Sequence, residues 1–164
     1  MTYPAFAREA ETARQSLRRP SFMRPIIARA LLLVVIAAAG AAGMLVTDSA
    51  STARLITIAG ADWANLLRAM AALKLLFAAA ASAAVLWRLG TPVSAVRWGA
   101  YALAAAATWG GPGLIWGLEH VRLGALLLHA GLIATALMVW RDPTVGARLS
   151  DIIARRRAAL RVHG

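Results

Sequence analysis

Four long apolar runs set the limits on what this chain can become. They lie at about residues 26–46, 64–87, 98–116 and 122–140. Each holds about 20 residues, the length a helix needs to cross a hydrocarbon core of about 30 Å. A strand crossing would alternate in polarity, and none of the runs does. Alanine and leucine dominate them and favour helix. Surface helices of a soluble bundle would carry a polar face over such lengths. The pattern predicts an all-α integral membrane protein, with four transmembrane helices in an up-down bundle. A basic segment at residues 1–25 precedes this domain of residues 26–140, and a basic amphipathic tail at 141–164 follows it.

Charge predicts how the bundle is threaded. The net charge is +11, from 18 basic and seven acidic residues. Fourteen of the basic residues fall on one side of the four runs: those before and just inside the first, Arg88 and Arg97, and those after the last. The other side has Arg54 and Arg122, accompanied by Asp48, Asp62 and Glu119. The positive-inside rule then places both termini in the cytoplasm, and an even number of spans agrees. Abundant alanine fits a chain from a GC-rich genome, and the expected location is a bacterial inner membrane. Five of the six tryptophans support the boundaries. Trp63 and Trp87 bracket the second run, Trp98 and Trp116 the third, and Trp140 closes the fourth. Indoles favour the headgroup level, where the ring is half buried and the N–H is wet. The basic flank and the small residues Ala39, Gly40 and Ala41 also suit a cleaved signal. The first run exceeds the apolar core of about 7–15 residues usual in a signal, so it is expected to stay as a span.

Between the runs, Leu55, Ile56 and Ile58 predict that part of the 47–62 connection lies along the membrane surface. Residues 5–17 suit a short surface helix. In the tail, Leu149, Ile152, Ile153 and Leu160 recur at near-helical spacing among arginines. One reading is an amphipathic helix on an anionic leaflet, with Arg155, Arg156, Arg157 and Arg161 as contacts. The other is an exposed basic tail that only fixes topology. Nucleic acid is not an expected partner, because the tail lacks aromatic stacking groups. Packing is expected through small residues, which allow helices to approach in lipid. These are Ala39 and Gly43, residues 78–84, Ala100, Ala104 and Thr108, Ala102, Ala106 and Gly110, and Gly124, Gly131 and Thr135. Residues 110–113, Gly-Gly-Pro-Gly, leave two readings: a broken helix lining a site, or an ordinary helix end.

Polar residues at mid-depth are the candidate site. Lys74 lies about 16 Å from Trp63 and about 20 Å from Trp87 along a helix. A lysine near the midplane costs about 2.5–3.5 kcal/mol on an insertion scale. No span carries an acid at that depth. His129 falls in the same layer, 11 residues before Trp140. With Thr108 and Met70 they predict one intramembrane polar patch in the bundle core. At the outer interface, Glu119, His120 and Arg122 form a second polar group.

With no cysteine, disulfides, thiolate metal sites and cysteine nucleophiles are excluded. Two mid-depth histidines are needed for bis-His haem within one chain, and only His129 qualifies among His120, His129 and His163. Haem through His129 with Met70 or a second copy stays open, as does copper through Met44, Met70, His120 and His129. His129 is the candidate metal ligand. No nucleophile, carboxylate pair or phosphate loop is present, so catalysis is not expected.

The stretch 66–89, which opens LLRAMAALKLLF, resembles the lysine-bearing helix of copper-resistance D-type membrane proteins. That resemblance implies copper handling. From the residues themselves, the expected function is a non-catalytic accessory subunit. It would pack on other membrane subunits or on a second copy, with an electron-transfer complex as one setting. The alternatives are a small haem- or copper-binding protein using His129, and a proton-coupled transporter subunit using Lys74 and His129.

Overall fold

A computed structural model describes the backbone of residues 22–162 and the side chains of residues 23–157. The surface helix expected at 5–17, most of the basic N-terminal segment and the Arg161 side chain lie outside the described residues. The described chain is helical apart from one two-residue strand pair. The strand β1 (Phe22–Met23) leads into α1 (Pro25–Leu45), followed by α2 (Ser49–Ala59) and α3 (Ala61–Arg88). Then come β2 (Val93–Ser94), α4 (Ala95–Trp116), α5 (Val121–Arg141) and α6 (Pro143–Val162).

Three of these helices, α1, α3 and α5, are long and apolar enough to cross a membrane. Helix α4 has the same length but carries Arg97, Tyr101, Thr108 and a glycine-rich end. Its position explains the difference. It packs on α1, α3 and α5, whereas α1 and α3 meet each other chiefly at one end, where Ala28 and Leu32 share a buried cluster with Val85 and Leu89. Tyr101, Ala104, Ala105, Thr108 and the stretch from Gly111 to Ile115 are buried on it. A helix shielded by three others needs less apolar surface than one that meets solvent or lipid on most sides.

Glycine sets the helix spacing. A Cβ on Gly111 would come within 2.5 Å of the Gly124 carbonyl oxygen, and one on Gly124 within 2.5 Å of the Gly111 oxygen. The backbones of α4 and α5 therefore touch. Gly131 presses on Ala104 and Thr108 one to two turns further along. On the other side of α4, Gly43 of α1 meets Gly110 and Gly113. This is the close packing that small residues allow without a hydrophobic drive between helices. Residues 110–113 neither break α4 nor end it. The helix runs through Pro112 to Trp116, correcting both readings of that stretch. Packing of Gly111, Gly113 and Pro112 between two neighbours outweighs the weak local propensity.

The remaining elements follow from local chemistry. Asp48 caps α2 by accepting from the Ser51 amide at 3.0 Å. Those amide hydrogen bonds hold its carboxyl below the ordinary range. Gly60, at φ 92°, stops α2 and turns the chain into α3. The connection at 47–62 thus holds a helix with no buried residue. Asp142 and Pro143 start α6 in the way a polar cap followed by proline predicts. Its Leu149, Ile152 and Ile153 are about half exposed. Met23 pairs with Val93 and Phe22 with Ser94, antiparallel. This pair gathers the start of α1, the α3–α4 connection and the start of α4 at one end of the bundle. The α5–α6 junction joins them through Arg88 and Asp142.

Candidate functional site

The mid-depth polar residues do not form one core patch. Thr108 is buried and donates to the Ala104 carbonyl at 2.8 Å, so its hydroxyl is spent within α4. Lys74 is half-buried on α3, between the buried Ala71 and Ala78, and has no ion-pair partner among the described residues. Met70 is 43% exposed. His129 lies on the exposed side of α5, away from the Gly124, Leu128, Gly131 and Thr135 face that packs inward. The inner face of α5 is taken by glycine contacts, and a histidine one position from Leu128 is turned outward by about 100°.

The His129 ring is held by one contact within its own helix. Its Nδ1 is 2.6 Å from the Ala125 carbonyl oxygen. A carbonyl has only lone pairs, so Nδ1 carries the proton and donates. In the neutral ring Nε2 is then a bare acceptor. That tautomer suits metal ligation through Nε2, and it suits a hydrogen bond from a neighbouring chain equally well. Among the described residues, no group of three or more His, Asp or Glu side chains stands together as a metal site. Any metal on His129 would need ligands from Met70, a second copy or a cofactor.

At the other predicted cluster, Glu119 reaches across to the α1–α2 turn, where its Oε2 accepts from the Asp48 amide at 3.3 Å. It forms no ion pair with Arg122, which is exposed. His120 is the residue before α5 and supplies no side-chain cap. Arg155, Arg156 and Arg157 are exposed on α6.

Two polar arrangements escaped the sequence. At the end that carries β1 and β2, Arg88 and Asp142 form a buried ion pair, each side chain 2% exposed. Arg88 also donates to Thr91 at 2.8 Å, the Tyr101 hydroxyl donates to Asp142 at 3.3 Å, and the Thr144 amide donates at 3.0 Å. Burial opposes the charge on Asp142, but the hydrogen bonds from Arg88 and Thr144 outweigh it and hold the carboxyl below its usual range. Around this pair, Arg29 donates to the Leu86 carbonyl at 2.9 Å and Arg148 to the Trp87 carbonyl at 3.0 Å. Arg29 satisfies a carbonyl left open at the C-terminus of α3, and Arg148 adds a second donor to the Trp87 carbonyl, which also accepts from the Gly90 amide; the helix dipole favours positive charge there. Arg148 also lies over the Trp87 ring, 5.5 Å from its centre. At the opposite end, Arg68 on α3 sits over the Trp116 ring at 5.9 Å with its buried Nε unpartnered. The sequence held no signal for either arrangement, because both depend on contacts between distant helices.

No known protein family, curated protein or solved structure matches the chain.

Proposed function

We propose that this chain is a non-catalytic four-span subunit of a bacterial inner membrane, with both termini cytoplasmic, that packs against other membrane proteins. The single observation behind it is His129. It stands midway along α5, on the side facing away from the bundle, with Nδ1 on the Ala125 carbonyl and Nε2 left without a partner among the described residues. A polar acceptor turned to hydrocarbon is costly, and a hydrogen bond from a neighbouring chain removes that cost. Lys74, half-buried and without an ion-pair partner among the described residues, adds a second polar contact at similar depth. The four-span topology draws on α4, which is as long as its neighbours and enclosed by them, and on the gathering of basic segments at one end. The arginines exposed on α6 are suited to the anionic inner leaflet.

Gentle solubilisation and affinity purification of the full chain test this reading. A stoichiometric membrane partner, or a homo-oligomer, is expected to accompany it. His129→Leu is expected to release the partner while leaving the thermal unfolding of the chain unchanged. A wild-type chain that purifies as a monomer without a partner would overturn the proposal.

The tautomer of His129 favours a second reading. With Nδ1–H tied to Ala125, Nε2 is poised to ligate haem or copper, with Met70 or a second copy completing the site. An optical spectrum and metal analysis decide it. A Soret band or near-stoichiometric copper that disappears in His129→Ala would replace the subunit reading.

A further inference from the structure

The cleft between α1 and α3 combines an apolar cavity with a polar mouth that holds one arginine. Both helices lean on α4 and meet each other near Arg29 and Leu86, and toward the other end a gap opens between them, with α4 as its floor. The gap holds a cavity of about 230 Å³ walled by Gly40 and Met44 of α1, Ala71 and Leu75 of α3, and Trp109 and Trp116 of α4. Trp109 donates its N–H to Ser82 at 2.8 Å. Its polar group is therefore spent, and the ring is left as apolar wall. Next to this cavity is a second, open one of about 340 Å³, lined by Arg68, Thr47, Ser49, Thr52 and again Trp116. Trp116 lines both, so the polar cavity adjoins the apolar cleft.

Arg68 gives the mouth its charge preference. Its guanidinium lies over the Trp116 ring, and its buried Nε has no partner. The acids nearest in sequence to this mouth are otherwise engaged. Asp48 accepts from the Ser51 amide and hydroxyl, and Glu119 accepts from the Asp48 amide. Neither forms an ion pair with Arg68. Arg68 lines this open cavity, and the donors of a guanidinium fork fit a phosphate or carboxylate. The apolar cleft alone would accept any hydrocarbon. The charge at its mouth narrows the occupant to an amphiphile with an anionic head.

We propose that the α1–α3 cleft is a binding site for one anionic phospholipid, with its phosphate on Arg68 beside the Ser49 and Thr52 hydroxyls and one acyl chain between Gly40 and Leu75. Arg68 supplies the choice of head, and Trp116 spans the boundary between head and chain as interfacial indoles do. The glycine at position 40 keeps the cleft open. A Cβ there meets nothing within 4 Å, so the empty space is not needed for helix packing. The site presupposes only that the bundle is embedded in a bilayer. It does not depend on a partner subunit.

Native mass spectrometry of the full chain in mild detergent tests this, with phosphatidylglycerol or phosphatidylcholine of matched chains added. One phosphatidylglycerol is expected to survive activation that strips the rest, with about a tenfold preference over phosphatidylcholine. Arg68→Gln is expected to abolish that preference, whereas Arg155→Gln on α6 keeps it. Gly40→Leu is expected to lose the retained lipid of either kind while its thermal unfolding stays at the wild-type temperature. Equal retention by wild type and Arg68→Gln would overturn the site. So would loss in Arg155→Gln as well, which would move the lipid to the tail. Competition by inorganic phosphate alone would also overturn it, because it would reduce the cleft to an anion site. Release of the chain from membranes by alkaline carbonate would overturn the membrane reading itself, an outcome distinct from failure of the lipid site.

Discussion

Arg88 and Asp142 are 54 positions apart and end up as the most buried charges in the described chain. Removing one member of such a pair strands the other, which costs about 3–5 kcal/mol, whereas replacing both with apolar groups is often neutral. Asp142→Ala is therefore expected to lower stability by about 3–5 kcal/mol, and Arg88→Met with Asp142→Leu to recover most of it, as read by thermal unfolding in detergent. The pH dependence has a definite sign. The Asp142 carboxyl titrates lower in the folded protein than the ordinary aspartate value of about 4. Its contribution is then fully present above about pH 4 and lost as pH falls through the lower folded value. Unfolding temperature is expected to hold from pH 8 to pH 5 and drop below about pH 4, and Asp142→Asn is expected to flatten that drop. Little of this was legible in the sequence. Arg88 read as one of many charges fixing topology, and nothing in the sequence marked Asp142 as its partner. Lys74 and His129 were found by depth alone. Depth does not say which way a helix face turns, and so His129 was placed in the core when it lies outside.

At the scale of the helix, small-residue stripes were legible and their pairings were not. Gly124 and Gly131 stood out in sequence, and they meet Gly111 and Thr108. Gly43 stood out too, and meets Gly110 and Gly113. The Pro112 stretch was misjudged because its propensity favours a break and its packing does not. These glycines separate into two groups by what surrounds them. A side chain at Gly124 would strike backbone, while one at Gly99, also inside a helix run, meets nothing within 4 Å. Gly124→Ala is expected to destabilise by about 1–3 kcal/mol through forced separation of α4 and α5. Gly99→Ala is expected to stabilise by about 0.5–1 kcal/mol through better helix propensity. Thermal unfolding of the two variants side by side checks both signs.

For the whole molecule, the apolar runs carried the helices, and helix ends agree with the runs to within about three residues. What the runs concealed is the rank of the helices. The third run, the least apolar of the four as a helix, is the one all the others surround. The chain has no cysteine, so single cysteines report sidedness without a background. Thr57→Cys on α2 is expected to react with a membrane-impermeant maleimide in intact spheroplasts. Ser150→Cys on α6 is expected to react only after the membrane is opened. The reverse pattern would invert the topology, and labelling of both from one side would require an even number of crossings between the two sites.

The central place of α4 sets the order of synthesis against the order of assembly. A ribosome delivers α1 and α3 before α4 exists, yet neither has more than slight contact with the other. During translation the two earlier helices have only their meeting at the Arg29–Leu86 end to hold them together. The β1–β2 clasp cannot close until the chain has passed Ser94. Nascent chains halted short of that point would hold helices but no bundle, and would be natural prey for membrane quality control. The bundle is committed only when its least hydrophobic helix arrives.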